Sequence, residues 1–214
     1  MKRIINIVLT AVALTFVFSA CEPSDANKDY GFPLIYIPQA TVTGLDNSYP
    51  IPTGPIAQNS TYSCRYNKEN GRLEIALGVI RAGYIANAKG FSVALGVDSE
   101  LTDAKLAEYG EAAIALPTKL CTIPDKISVK AGSNSGTCYV GIDLNALSKM
   151  SLFDTTTKTY KKLVLGLKIS DPTEYELAEE NTSVAVVLDL NSSHWDDVAE
   201  NLPESIIRDL FPKY

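Results

Sequence analysis

Along most of this chain apolar residues recur at every second position in short runs. Leu73, Ile75, Leu77 and Val79 share one side of residues 72–81, and Phe91, Val93, Leu95 and Val97 repeat the arrangement. Period-two alternation predicts a strand with one buried face. The pattern returns at Leu163, Leu165, Leu167 and Ile169. It appears again at Val184, Val186 and Leu188, with Ala185 and Val187 on the opposite face. Shorter strands are predicted at 34–37, 126–130 and 137–144, with 41–44 as a short edge and 62–66 as a pairing partner. Asn70-Gly71 predicts a hairpin, because both residues tolerate positive φ. Gly132 to Gly136 reads as the turn joining 126–130 to 137–144. Pro50, Pro52 and Pro55 exclude a central strand around them.

About seven strands at short intervals, each alternating, predict sheets with one buried and one wet face. The economical architecture is all-β: an immunoglobulin-like antiparallel β-sandwich with a short C-terminal helix. A closed barrel is the alternative. One internal helix is predicted at 102–109, with Thr102 or Asp103 as N-cap and Gly110 ending it. After residue 190 the pattern changes. Pro203 suits the first turn of a helix over 204–211, and Ile206, Ile207, Leu210 and Phe211 form one apolar face. That face predicts a tail packed on the sandwich, with a partner-docking helix as the alternative.

The first residues follow a different logic. Lys2 and Arg3 precede an apolar run from Ile4 to Phe18, which ends in Ser19-Ala20-Cys21. This predicts a cleaved secretory leader with a lipobox, leaving Cys21 as a lipidated N-terminus. The run is too short for a comfortable span of roughly 20 residues. The expected organisation is a leader over 1–20, a lipidated tether over 21–32, a sandwich over 33–190 and a helical tail over 191–214. Glu22, Asp25 and Asp29 resemble the acidic export signal of Bacteroidetes surface lipoproteins. They imply a lipid-anchored protein on the outer membrane, facing the cell surface.

Charge narrows the partners. The leader holds two of the 19 basic residues and none of the 25 acidic ones, so the remainder carries −8. An acidic body does not suit nucleic acid or electrostatic docking on anionic lipid. Besides Cys21, the chain has Cys64, Cys121 and Cys138, an odd number that cannot all pair. Cys138 alternates with Val140 and Ile142 and reads as a small core residue. Export permits a Cys121–Cys138 disulfide. With no C-x-x-C pair and one histidine, no structural zinc site and no cofactor is expected.

Several stretches, in order, resemble one family. They include Tyr36-Ile37-Pro38-Gln39-Ala40, Tyr49-Pro50-Ile51-Pro52, Gly71-Arg72-Leu73 through Arg81-Ala82-Gly83, and Phe91-Ser92-Val93 with Val97-Asp98. Further on come Leu116-Pro117 to Cys121-Thr122-Ile123-Pro124 and Val129-Lys130-Ala131-Gly132. The last are Cys138-Tyr139-Val140-Gly141-Ile142-Asp143-Leu144 and Lys168-Ile169-Ser170-Asp171-Pro172 running on to Leu177. The family is a domain of unknown function at the N-terminus of Bacteroidetes surface lipoproteins. These are often encoded with SusC/SusD-type uptake systems. The same domain precedes the catalytic domain of some family 18 endo-β-N-acetylglucosaminidases. The resemblance spans about residues 33–190. It implies an immunoglobulin-like accessory module without catalytic residues, with polysaccharide or SusC/SusD-type proteins as partners. Members usually continue into a second domain, and what those domains do is not inherited.

The family 18 motif Asp-x-x-Asp-x-Asp-x-Glu is absent. Glu179-Glu180 and Asp196-Asp197 are adjacent pairs, and neighbours on a strand face opposite ways. A Ser-His-Asp relay would need His194, which sits in a polar tail. Asp98, Glu100 and Asp103 could offer oxygen ligands to calcium, but read more simply as a turn before a helix. The chain is therefore expected to be no enzyme. Asp154-Thr155-Thr156 resembles the Bacteroides O-glycosylation context, with Thr155 as acceptor. Sugar C–H faces stack on exposed rings, which makes Trp195, Tyr62, Tyr84 and Tyr160 the candidate glycan contacts. Trp195 has Asp196 and Asp197 beside it as acceptors, and its alternative role is an anchor for the tail. The function expected is an accessory in polysaccharide capture or uptake. The alternative is a protein-binding adhesion or structural module with no sugar ligand.

Overall fold

A computed structural model describes residues 29–44, 46–53, 63–195, 198 and 201–210. The predicted leader, Cys21 and most of the tether lie outside them. The described strands are β1 (Leu34–Tyr36), β2 (Ser48–Ile51), β3 (Cys64–Asn67), β4 (Arg72–Arg81), β5 (Phe91–Val97), β6 (Ala113–Ala115) and β7 (Cys121–Thr122). They continue with β8 (Lys126–Val129), β9 (Ser135–Asp143), β10 (Phe153–Asp154), β11 (Thr159–Tyr160), β12 (Lys162–Ser170), β13 (Glu176–Leu177) and β14 (Ser183–Leu188). Helices are α1 (Ser99–Tyr109), α2 (Leu144–Leu147) and α3 (Glu204–Leu210).

Two six-stranded sheets form an all-β sandwich. One runs β13-β1-β4-β9-β7, with β3 also on β4. The other runs β2-β14-β12-β5-β8, with β6 also on β12. Each long alternating run becomes a long strand, and the inward residues Leu73, Ile75, Leu77, Val79, Leu163 and Leu167 have no exposed surface. The strands beyond the expected seven or so are mostly edge pieces of two to four residues, too short to carry a period. The pairing is not wholly antiparallel. β1–β13, β2–β14 and β6–β12 are parallel. Their short strands return through long connections instead of hairpins, which permits parallel pairing.

Three local expectations change. Residues 41–44 are no strand: a 3-10 turn covers Pro38–Thr41, started by a proline that has no amide hydrogen to give a ladder. The turn at Gly132–Gly136 closes no hairpin, because β8 pairs with β5 in one sheet and β9 with β4 in the other. In the Asn70-Gly71 turn only Gly71 takes positive φ, at 68°. Asn70 instead accepts the Arg72 amide through its side-chain oxygen at 3.0 Å.

The second sheet is covered on both sides. α1 lies on its outer face, over Ala113, Val164, Ala185 and Val187, with Leu101, Leu106 and Tyr109 above them. The helix starts three residues earlier than its sequence suggests, because Asp98 is the N-cap and accepts the Leu101 amide at 3.0 Å. Its sheet-facing first turns are polar, with Thr102 and Lys105 buried, and so carry no apolar period. Thr102 Oγ1 donates to Asp98 O at 2.7 Å and accepts the Gly166 amide at 2.8 Å. Lys105 is held by Glu108 at 2.9 Å and Asp46 at 3.6 Å.

β4 meets β3 at one end and β1 at the other. In the gap between them Ser63 O accepts the Ala76 amide at 3.0 Å, and Gln39 Oε1 accepts the Gly78 amide at 3.2 Å. A side chain thus stands in for a missing stretch of strand. The tail shares the main core: Trp195, Val198, Leu202, Ile206 and Leu210 are all buried in it. Cys64, Cys121 and Cys138 are free thiols, so the permitted Cys121–Cys138 bridge is not made.

Candidate functional site

Three of the four exposed aromatics among the described residues gather where the N-terminal segment reaches the sandwich; the fourth, Phe153, lies on β10. Tyr30 is 65% exposed, Phe32 83% and Tyr84 36%. Tyr30 and Tyr84 exchange backbone hydrogen bonds of 3.0 and 2.8 Å as an isolated antiparallel bridge. That bridge stacks their rings, with centroids 5.4 Å apart and planes 13° from parallel. Two glycines allow it. Gly31 and Gly83 have φ of 76° and 70°, and a Cβ on Gly83 would sit 2.9 Å from Tyr30 O. Asp29 Oδ1 accepts the Ala86 amide at 2.7 Å and ties the segment down once more.

Beside this pair, the loop between β12 and β13 crosses from one sheet to the other. Tyr175 meets Phe91 edge-on, with centroids 5.6 Å apart. Its hydroxyl accepts the Lys89 amide at 2.9 Å. Lys89 also pairs with Glu174 at 3.2 Å, and Thr173 Oγ1 accepts the Ser92 amide at 2.9 Å. Beneath Tyr175 lies Arg81, with its guanidinium carbon 5.1 Å from the ring centre. A separate polar cleft of about 370 Å³ is lined by Asn47 and residues 179–183, among them Glu179 and Glu180. It contains amide, hydroxyl and carboxylate groups but no ring.

The candidate glycan contacts scatter. Tyr84 is at the exposed end just described. Tyr62 lies outside the described residues. Trp195 has no exposed surface and donates its indole N–H to Asp189 O at 2.9 Å, so it presents no ring face. Tyr160 is also in the core, against Phe153 at 5.0 Å. Both are corrections to a stacking role: an aromatic near a loop can still be claimed by the core. Thr155 is exposed in the turn between β10 and β11, where Asp154 Oδ1 accepts the Thr156 amide at 2.8 Å. Tyr30 escaped the sequence reading because it falls in the expected tether, and nothing local announces its bridge to Tyr84.

Other chemistry is sparse. His194 is exposed in a 3-10 turn, and no Ser-His-acid relay surrounds it among the described residues. Asp98 is occupied as a cap. Among the described residues no group of three or more His, Cys, Asp or Glu is placed to hold a metal, and no helix is long and apolar enough to cross a membrane.

A family of N-terminal domains matches residues 34–176, and the chain belongs to that family. It is the N-terminal domain of unknown function that the ordered sequence stretches resemble. Particular solved structures are more distant. A candidate carbohydrate-binding protein from Bacteroides ovatus is 14% identical, with a TM-score of 0.47 over 73% of this chain and 37% of its own. An auxiliary nutrient binding protein from Bacteroides thetaiotaomicron is 18% identical, with a TM-score of 0.41 over 68% and 45%. EndoBT-3987 from the same species, solved with a Man5GlcNAc product, is 12% identical, with a TM-score of 0.39 over 54% and 26%. The chain thus spans less than half the length of each of these proteins. No curated protein matches it.

Proposed function

We propose that this protein is a non-catalytic, lipid-anchored accessory of polysaccharide capture at the outer cell surface. The observation that carries the reading is the stacked, exposed Tyr30–Tyr84 pair with Phe32 beside it. Rings held rigid by a backbone bridge and open to solvent suit the apolar faces of sugars, with polar groups nearby to take the hydroxyls. The lipobox at Cys21 and the family membership support the placement and the accessory role. Thr155, exposed in its turn, is the proposed O-glycan acceptor.

The test is calorimetric titration of the chain from Glu22 onward against a panel of host and plant polysaccharides. Binding that is lost in Tyr84→Ser and kept in Tyr160→Phe supports the reading. No heat from any glycan, with the protein shown to be folded, shifts the assignment to docking on a protein of the uptake machinery. The same exposed rings would then form the contact.

A further inference from the structure

Arg81 continues the inward series of Leu73, Ile75, Leu77 and Val79 on β4, opposite Ile35 in the ladder. It is only 4% exposed. Its Nε and Nη1 are buried and have no hydrogen-bond partner among the described residues. Tyr175 supplies a ring over the guanidinium, but a cation–π contact offsets only part of the cost of burying this charge. Buried charges are normally paired, and one that is not points to a missing anion.

The residue covering it is also unusual. Tyr175 has a φ of 65°, a backbone region that bulky residues rarely enter. It is held there by its hydroxyl on the Lys89 backbone and by the Lys89–Glu174 pair, which is largely exposed. Its ring also rests on buried Phe91, and Thr173 and Ser92 exchange two hydrogen bonds beside it. A strained residue with its polar latches at the surface is thus a strap over a buried cation that can lift. Arg81 and Tyr84 are three residues apart, at most about 10 Å between Cα atoms. One oligosaccharide can therefore meet both.

We propose that Arg81 receives the carboxylate of an acidic sugar, of the uronic or sialic acid class, while a neighbouring ring of the same glycan stacks on Tyr30 and Tyr84. The inference rests on the polysaccharide reading above and sharpens its ligand. The net acidic body repels such a ligand at long range, and added salt screens that repulsion. The buried contact is screened much less. Affinity therefore holds steady as salt rises, unlike ion exchange on a basic surface.

The experiment titrates the chain from Glu22 onward with trigalacturonate and with sialyllactose. Each is paired with an uncharged counterpart: the methyl ester and lactose. At least one acid is expected to bind about tenfold or more tighter than its counterpart. Arg81→Met is expected to erase that preference while melting no lower than the parent, since it removes an unpaired buried charge. Arg81→Lys, which keeps a charge, retains part of it. An acid preference that survives in Arg81→Met overturns the inference. So does full displacement by inorganic sulfate at equal concentration, which would mark an oxyanion site without sugar recognition. Glycan binding lost in Tyr84→Ser but indifferent to the carboxylate leaves the polysaccharide reading standing and removes this one. No binding of any glycan removes both.

Discussion

The Ser183 hydroxyl donates to Asp98 Oδ2 at 2.7 Å, while Asp98 Oδ1 accepts the Leu101 amide at 3.0 Å. One carboxylate thus caps α1 and ties it to β14. Replacing it with alanine frees a helix amide and a half-buried hydroxyl together. Asp98→Ala is expected to lower unfolding free energy by about 1–2 kcal/mol in urea titration. An unchanged midpoint would mean the helix rests on its apolar contacts alone.

Acid should weaken this corner. Burial pushes the Asp46 carboxyl up, but hydrogen bonds from Thr43 and Ser48 and the charge of Lys105 outweigh it and hold the group at about 2. Burial likewise opposes ionisation of Asp98, yet the Leu101 amide, the Ser183 hydroxyl and Lys168 lower it. For depressed carboxyls the stabilisation is fully present above the unfolded value near 4 and is lost as pH falls towards the folded value. Melting temperature should stay level from pH 6 to 5 and drop between pH 4 and 2. Asp46→Asn should flatten part of that drop.

Gly166 gives α1 its seat. A Cβ there would meet Asp98 O and, at 3.0 Å, the Thr102 backbone nitrogen. The backbone of the helix's first turn cannot yield as a flexible side chain would. Gly166→Ala is expected to cost about 2–3 kcal/mol. A loss below about 0.5 kcal/mol, typical of a neutral surface change, would show that the helix can shift freely.

The thiols should be inert while the protein is folded. Burial pushes Cys64 up to about 12 and Cys121 and Cys138 up to about 11. The thiolate is the reactive form, so a disulfide reagent at pH 8 should label the native chain from Glu22 very slowly. Three equivalents should react once denaturant is added. Rapid labelling of the native protein would contradict the packing around β4, β7 and β9.

Trp195 is the only tryptophan. Its burial predicts native fluorescence that is blue-shifted and poorly quenched by acrylamide. Trp195→Ala should cost about 3–5 kcal/mol, because it empties a large site in the core. Tail detachment without loss of sandwich stability would instead show that the two fold separately.

Some of this architecture can be read directly from residue order. Leu73 to Val79 and Leu163 to Ile169 alternate because their side chains must reach a core, and such runs have one stable solution. Arg81 could be found the same way, since it sits two residues beyond Val79 in the inward series. The paired tyrosines could not. Tyr30 and Tyr84 are joined by a bridge across more than fifty residues, and no local pattern encodes a long-range contact. Helix α1 begins before its apolar pattern for a related reason: Thr102 and Lys105 are buried through polar partners, so periodicity passes over them.

The sequence by itself therefore determined the positions of the long strands, the two-sheet class and the family, because each depends on local alternation or on the order of short stretches. Only the tertiary structure decided which aromatics face water. Tyr160 and Trp195 look as available as Tyr84 in the chain, but the core claims them once the sheets close and the tail packs. It also decided that Arg81 is buried without a hydrogen-bond partner for Nε and Nη1 among the described residues. A charge's partners are set by what the fold brings within a few ångströms, not by its neighbours in the chain.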